Sequence, residues 1–327
     1  MTDPGGAIVR LLREHQSFLV LTHYRPDGDA VGSQLALTIL LKEMGKQVAA
    51  WNEDQVPAKF LFLPQSHLIV RPPESPRDFD VVIVLDTSTW QRLGTAGERI
   101  GQRRLLVNVD HHVSNENFGD INWVVPEASS TGLMVFDLIR RGGFPLGVEV
   151  ATCLYVAIAT DTGNFTYAST SATAFRAAAD LVEAGVNVGD VCRHVYESYP
   201  LARLQLLQLT LADLTLADHN RIAYYWVTNE KLRRSGARRE DIEGLIDYAR
   251  SIEGVIVAVL FEELPEAGKF RMSLRSKHPK VDVNRIARRF GGGGHPEAAG
   301  ARLAGTPQEI EAKVIAAISA AIREAGL

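Results

Sequence analysis

Short apolar runs that end abruptly in polar residues recur along the first half of the chain. "SFLVLTH" (17–23), "DFDVVIVLDTS" (78–88) and "RRLLVNVDHH" (103–112) are β-rich and nearly continuous in apolar character, as expected of parallel strands buried on both faces. Between them "GSQLALTILLKEMG" (32–45) carries helix formers to a glycine stop, and "SSTGLMVFDLIRRGG" (129–143) predicts a helix halted by two glycines. The run "EVATCLYVAIATDTGNF" (149–165) suits a helix or a strand, with its acidic residue near the end. The alternation predicts a layered α/β domain with a mostly parallel sheet and helices on both faces. In that architecture polar groups gather beyond the carboxyl ends of the strands.

The second half reads differently. Residues 170–212 are mostly helical in pattern, with "YPLARLQLLQLTLADL" (199–214) as a connector. A new series follows: a strand at 221–228, a helix at 239–252, strands at 254–264 and 269–276, a helix from 281 into a run of glycines, and a closing helix from Pro307 to Ala325. This predicts a smaller α/β domain. The expected organisation is a catalytic domain over 1–190, a helical linker over 191–214 and a second domain over 215–327, with the active site in the cleft between domains. A chain of 327 residues with 46% hydrophobic content has material for two such cores.

Composition narrows the chemistry. Cys153 and Cys192 are the only cysteines and have no CxxC spacing, which excludes a thiolate zinc knuckle and a secreted disulfide framework. The amino terminus meets charge before any signal-like apolar run, and no stretch of about 18 apolar residues occurs, so the expectation is a cytoplasmic protein with no membrane role. A net charge of -4 argues against a grip on long duplex DNA. The charge is uneven, however. Lys269, Arg271, Arg275, Lys277, Lys280, Arg285, Arg288 and Arg289 face a single acid, Asp282, a local +7 that suits an anion seat for a short or single-stranded nucleic acid. Trp51, Trp90, Trp123 and Trp226 lie apart from the polar clusters and read as packing groups, and Cys153 reads as buried.

Four polar clusters carry the chemistry. "HYRPDGDAVGS" sets His23, Asp27 and Asp29 directly after the first strand, with Gly28 allowing a tight turn between the two carboxylates. Asp86 ends "VVIVLD", where an ionised carboxylate is poorly placed unless paired or bound to metal. "NVDHHVSN" supplies Asp110, His111 and His112: one imidazole can bind metal while Asp110 orders a ring and the other imidazole faces a substrate. "ATDTGNF" supplies Asp161. His23, Asp27, Asp29, Asp86, His111 and Asp161 form a set of nitrogen and hard oxygen donors that suits two Mn²⁺ ions, with Mg²⁺, Co²⁺ or Zn²⁺ as alternatives. Two ions about 3.5–4 Å apart require a shared carboxylate. Four carboxylates against two divalent ions balance in charge, which fits phosphoester hydrolysis by a metal-bridging hydroxide. In the second domain Gly291, Gly292, Gly293 and Gly294 let backbone amides approach an anion, and His295 adds a donor. With Arg275 and Ser276 at the end of "KFRMSLRS" they suggest a nucleotide clamp.

These motifs, in this order, resemble the DHH phosphoesterases, a family named for the residues at Asp110, His111 and His112, and "GGGGHPEAAG" (291–300) resembles the loop of the family's associated C-terminal domain. The resemblance covers about 15–320. Within the family the two-domain build is similar to the bacterial nanoRNases, oligoribonucleases that also dephosphorylate 3'-phosphoadenosine 5'-phosphate. It implies that His23 and Asp27 hold one Mn²⁺, that Asp29, His111 and Asp161 hold the other, and that Asp86 bridges them. It further implies that Asp110 orients a histidine, that His112 contacts the scissile phosphate, and that Arg275 and His295 meet the terminal nucleotide. Tyr24 and Arg25 occupy variable positions, Arg25 being either a phosphate contact or a surface residue. The implied activity is hydrolysis of short single-stranded RNA or dinucleotides from the 5' end, and of 3'-phosphoadenosine 5'-phosphate to AMP. A cyclic di-AMP or linear pApA phosphodiesterase, an inorganic pyrophosphatase and a non-catalytic nucleic-acid-binding module are the alternatives. The sequence leaves oligomeric state open, with a homodimer among the options.

Overall fold

The computed structural model describes residues 3–327, and the chain divides into two units, Met1–Ser198 and Tyr199–Leu327. In the first unit the elements run α1 (Pro4–Glu14), β1 (Ser17–Leu21), α2 (Gly28–Glu43), β2 (Gln47–Trp51), β3 (Ile69–Val70), β4 (Arg77–Leu85), α3 (Thr95–Glu98), β5 (Ile100–Asp110), β6 (Ile121–Val124), α4 (Thr131–Gly142), α5 (Val148–Asp161), α6 (Ala172–Glu183) and α7 (Val188–Tyr196). The six strands form one sheet in the order β3-β2-β1-β4-β5-β6, parallel throughout. Strand residues alternate between two dry faces, which explains the unbroken apolar runs. Phe18, Val20, Val81, Ile83, Val107 and Val109 pack under the helices that contribute Leu12, Leu35, Leu138 and Val156. Leu19, Leu21, Val82, Val84 and Leu106 pack on the other face against Leu93 and Ala96, from a 3₁₀ turn (Trp90–Leu93) and α3. The order runs outward from β1 in one direction and from β4 in the other, so the loops leaving these two central strands part company. Such a switch point opens a crevice at the strands' carboxyl ends.

Two local outcomes place functional residues. α2 begins at Gly28, a turn earlier than the apolar pattern suggests, because the Asp27 carboxylate caps it by accepting from the Ala30 amide at 3.1 Å. Asp29 therefore lies in the first helical turn. The ambiguous run after residue 149 is the helix α5, which ends at Asp161 and gives way to three consecutive left-handed residues, Gly163, Asn164 and Phe165 (φ 56, 57 and 62°).

The second unit contains α8 (Leu201–Leu211), β7 (Thr215–Ala217), β8 (Ile222–Val227), α9 (Asn229–Ser235), α10 (Ile246–Arg250), β9 (Val257–Glu263), β10 (Lys269–Ser276), α11 (Val283–Arg288), β11 (Gly293–Gly294), β12 (Ala298–Ala304) and α12 (Pro307–Glu324). Its sheet, β11-β12-β10-β9-β8-β7, is antiparallel except for the parallel pair β8 and β9. Val259, Phe261, Met272 and Leu274 face Ile286 of α11 and Val314 and Ile318 of α12. Ala223, Tyr225, Ala258 and Leu260 face Leu206, Leu232 and Ile246. Leu206 brings the stretch read as a connector into this core. The helix expected over 239–252 is interrupted: a 3₁₀ turn (Arg239–Ile242) is separated from α10 by Gly244, whose φ of 75° leaves the helical region. Trp51 is buried and Trp226 stacks on Phe261 at 4.5 Å, so both are packing groups. Among the described residues no helix is long and apolar enough to cross a membrane.

Candidate metal centre

The first unit gathers six donor residues from four chain segments. His23 follows β1, and its Nδ1 lies 2.9 Å from the Tyr24 carbonyl. That contact, with the Arg92 guanidinium beside the same nitrogen, turns Nε2 toward the acids. His111 follows β5 and repeats the device, with Nδ1 donating to the Ala128 carbonyl at 3.1 Å. Asp86 lies immediately after β4 in the left-handed region (φ 53°), where a residue other than glycine is uncommon. Its Oδ2 is 3.4 Å from His23 Nε2 and its Oδ1 is 3.5 Å from His111 Nε2. One carboxylate thus presents one oxygen to each imidazole.

Two donor groups flank it. Ligand atoms of His23, Asp27 and Asp86 lie within 4.8 Å of one another, as do those of Asp29, His111 and Asp161. Asp29 is held by the amino end of α4: the amides of Thr131 and Gly132 donate to its two oxygens at 2.6 and 2.7 Å, and the Ser33 hydroxyl adds a bond at 3.0 Å. The Thr131 hydroxyl also donates to Asp86 Oδ1 at 3.1 Å. A helix amino terminus aimed at two carboxylates stabilises their charge. Asp161 has the opposite setting, a carboxylate at the carboxyl end of α5, where the helix dipole disfavours an anion. A third grouping, Asp86, Asp110 and His112, meets the same distance limit. Both Asp110 oxygens already accept from protein donors, Oδ1 from His112 Nδ1 at 2.7 Å and Oδ2 from Asn115 at 2.6 Å.

Burial and mutual repulsion act against full ionisation of the acids, and the histidines oppose this at Asp86. Burial, followed by the charges of Asp86 and Asp161, raises the Asp29 carboxyl well above its usual range. The Asp161 side chain retains 31% exposure; even so, burial, with the charges of Asp27 and Asp86 and against the pull of His111, pushes it up to about 6. Burial acts on Asp86 in the same direction, but hydrogen bonds from His111 and His23 outweigh it and hold that group well below the carboxylate range. Burial opposes a charge on His111, yet Asp161, Asp86 and Asp29 together raise its pKa well above the usual value. Crowded, buried carboxylates facing imidazole nitrogens, with no thiolate among them, are a donor set that fits hard or borderline divalent ions: Mn²⁺, Mg²⁺, Co²⁺ or Zn²⁺.

The second unit places the remaining candidates. Arg275 lies on β10 on the sheet face opposite Leu274 and is half-buried, one guanidinium nitrogen donating to the Leu274 carbonyl at 3.0 Å. The Ser276 hydroxyl is buried and closes its own turn, donating to the His278 carbonyl at 3.1 Å and accepting from the His278 amide at 3.2 Å. The glycines divide by physical cause. A Cβ on Gly292 or Gly294 would collide with the carbonyl of Gly300 or Ala298, so these two are demanded by close pairing with β12. At Gly293 the nearest atom to such a Cβ is the Asn284 side-chain oxygen at 3.8 Å, and nothing inside the unit requires a glycine there. The amides of Gly291, Gly292 and His295 are bonded to the carbonyls of Arg288, Ala287 and Ala298.

Several site residues escaped the sequence reading. Thr131 and Gly132 were legible only as a helix start, and their partner Asp29 lies 102 residues away or more. Arg92 places a guanidinium nitrogen 3.0 Å from His23 Nδ1. Asn115 stood in plain view in "DHHVSN", without periodicity or spacing to mark it.

These acids and imidazoles, gathered just beyond the ends of parallel strands, are the site of a chain that belongs to the DHH family. Residues 17–158 match the DHH family, N-terminal domain, and residues 219–324 match the DHHA1 domain. The chain is 34% identical to the "Bifunctional oligoribonuclease and PAP phosphatase NrnA" of Thermus thermophilus, over 88% of this chain and 84% of that protein. It is 28% identical to the protein of the same name from Bacillus subtilis, over 90% and 92%. In structure it resembles an exopolyphosphatase-related protein from Bacteroides fragilis with a TM-score of 0.88 and 27% identity, covering 99% of this chain and 98% of that one.

Proposed function

We propose that the protein is a two-metal phosphoesterase that hydrolyses short oligoribonucleotides from the 5' end and converts 3'-phosphoadenosine 5'-phosphate to AMP. The observation that carries the reading is Asp86, whose two oxygens face the Nε2 atoms of two histidines that follow different strands. His23 and Asp27 would hold one ion, Asp29, His111 and Asp161 the second, and Asp86 both. Two Mn²⁺ ions bound there, with Mg²⁺ or Co²⁺ as substitutes, supply Lewis acidity to the phosphoryl oxygens and the attacking water.

The chain's own residues do the rest. Nδ1 contacts with backbone carbonyls keep His23 and His111 turned with Nε2 inward, and the amino end of α4 keeps Asp29 aligned. Asp110 orients His112, whose ring it also makes more basic: burial opposes the charge, but the Asp110 hydrogen bond and carboxylate outweigh it. A protonated His112 contacts the scissile phosphate and can deliver a proton to the leaving oxygen. In the second unit Arg275, Ser276, Gly292, Gly293, Gly294 and His295 are assigned to the terminal nucleotide. The basic segment and the room beside Gly293 support that assignment, with Ser276 shaping the turn that follows Arg275. Names of the relatives guide the choice of substrate.

The test is a panel of short RNA, 3'-phosphoadenosine 5'-phosphate, pApA and cyclic di-AMP with purified protein and defined Mn²⁺. RNA labelled at its 5' end should release labelled mononucleotide at the earliest times, and 3'-phosphoadenosine 5'-phosphate should yield AMP, both ending on chelation. A ladder shortening from the 3' end overturns the polarity. Faster turnover of cyclic di-AMP or pApA than of the other two moves the enzyme to the dinucleotide phosphodiesterases.

A further inference from the structure

Behind His112 a chain of side-chain hydrogen bonds runs into the first unit, and the backbone fixes the orientation of its members. Asn108, fully buried on β5, donates through Nδ2 to the carbonyls of Thr87 at 3.1 Å and Val84 at 3.4 Å, which leaves its Oδ1 as an acceptor. Asn115 reaches that oxygen with its own Nδ2 at 2.8 Å, while its Oδ1 accepts from the Asn117 amide at 2.7 Å. Turning either amide over would set like groups against each other. The shortest bond of the Asn115 Nδ2 goes to Asp110 Oδ2 at 2.6 Å, with the Thr87 carbonyl also near at 3.2 Å. Asp110 is fully buried, and its other oxygen accepts from the His111 amide at 2.9 Å and from His112 Nδ1 at 2.7 Å.

We propose that Asn115, seated on Asn108, is a positioning residue for His112. It pins the Asp110 carboxylate by one oxygen so that the other receives the Nδ1 proton, and Nε2 becomes the nitrogen that meets the substrate's phosphate. This rests on the phosphoesterase reading for what His112 does, but not for how it is held. Without Asn115, one oxygen of a buried carboxylate loses its side-chain donor and the group is free to rotate away from His112. Asn108, which donates to the Thr87 carbonyl and accepts from Asn115, links the loop carrying Asp86 to the loop carrying His112, whose Nδ1 stands 3.7 Å from Asp86 Oδ1.

Two measurements on the full chain test the assignment. Nitrogen-15 NMR of labelled histidine, with Mg²⁺ present and at a pH where the ring is neutral, should show His112 as the Nδ1–H tautomer, and Asn115→Leu should give a mixture. An Nε2–H tautomer in the unsubstituted protein overturns the proposal. In kinetics, Asn115→Leu should lower kcat about 10–100-fold with KM and bound metal little changed. In a His112→Ala background the same substitution should change kcat by less than about twofold. An equal fold-loss in both backgrounds overturns the proposal and makes Asn115 a general support of the loop. Asn115→Ser, which keeps a donor, carries the cycle if the leucine variant does not fold. A chain that hydrolyses nothing in the panel defeats the phosphoesterase reading and leaves the tautomer to decide Asn115.

Discussion

At the residue scale the centre is a set of division-of-labour decisions made by hydrogen bonds. His111 and His112 are adjacent in sequence, yet one bonds a backbone carbonyl through Nδ1 and the other a carboxylate. That difference predicts different consequences of removing neighbouring side chains. Asp86→Ala removes the oxygens shared between two histidines, and should abolish both metal occupancy and turnover by several orders of magnitude. His112→Ala should leave metal content near two ions per chain and lower kcat by about 10²-fold or more. Metal analysis beside steady-state kinetics separates them; loss of both ions from the His112 variant would exchange the roles given to His111 and His112. The motifs made these residues legible because each ends an apolar run, where an unpaired polar group is costly. Asn115 and Thr131 were not legible, because an amide in a loop and a threonine opening a helix just after its serine cap are both ordinary.

At the scale of elements, two glycines let helices approach until the acids converge. A Cβ on Gly32 of α2 would clash with the Cys153 carbonyl and come within 2.9 Å of the Ala157 Cβ on α5. A Cβ on Gly132 of α4 would clash with Ala157 and sit 3.2 Å from Asp29 Oδ1. Gly32→Val should therefore cost about 2–3 kcal/mol of stability, read as a lower denaturation midpoint. Because α2 carries Asp29 and α5 ends at Asp161, separating these helices should weaken Mn²⁺ binding as well. Unchanged affinity in a folded variant would show that the acids are placed by their loops alone. The start of α2 matters as much: Asp27 as cap and Asp29 in the first turn are both decided by where the helix begins, which apolar periodicity does not mark.

On the scale of the whole molecule, the two units have separate cores and separate sheets, and the acid cluster lies in the first. Metal should stabilise that unit selectively. Ion in excess at about 100 times its dissociation constant contributes roughly 2.7 kcal/mol per site to whatever folds around it. Hydrogen exchange with and without chelator should show protection lost in the loops after β1, β4 and β5 and at the start of α4, with the strands of the second sheet unaffected. Uniform loss across both units would mean that they unfold together.

By itself the sequence determined the alternation of strands and helices, the positions where buried strands end, and the residue types waiting there, because apolar periodicity and the cost of buried charge are local properties of the chain. It also carried the family's motifs in order. The tertiary structure decided which oxygen of Asp86 faces which histidine, which ring nitrogen turns toward the acids, and which of the four glycines are demanded by close pairing with β12. Those outcomes depend on sheet register and on helix contacts between residues separated by up to a hundred positions or more, and no local pattern encodes such distances.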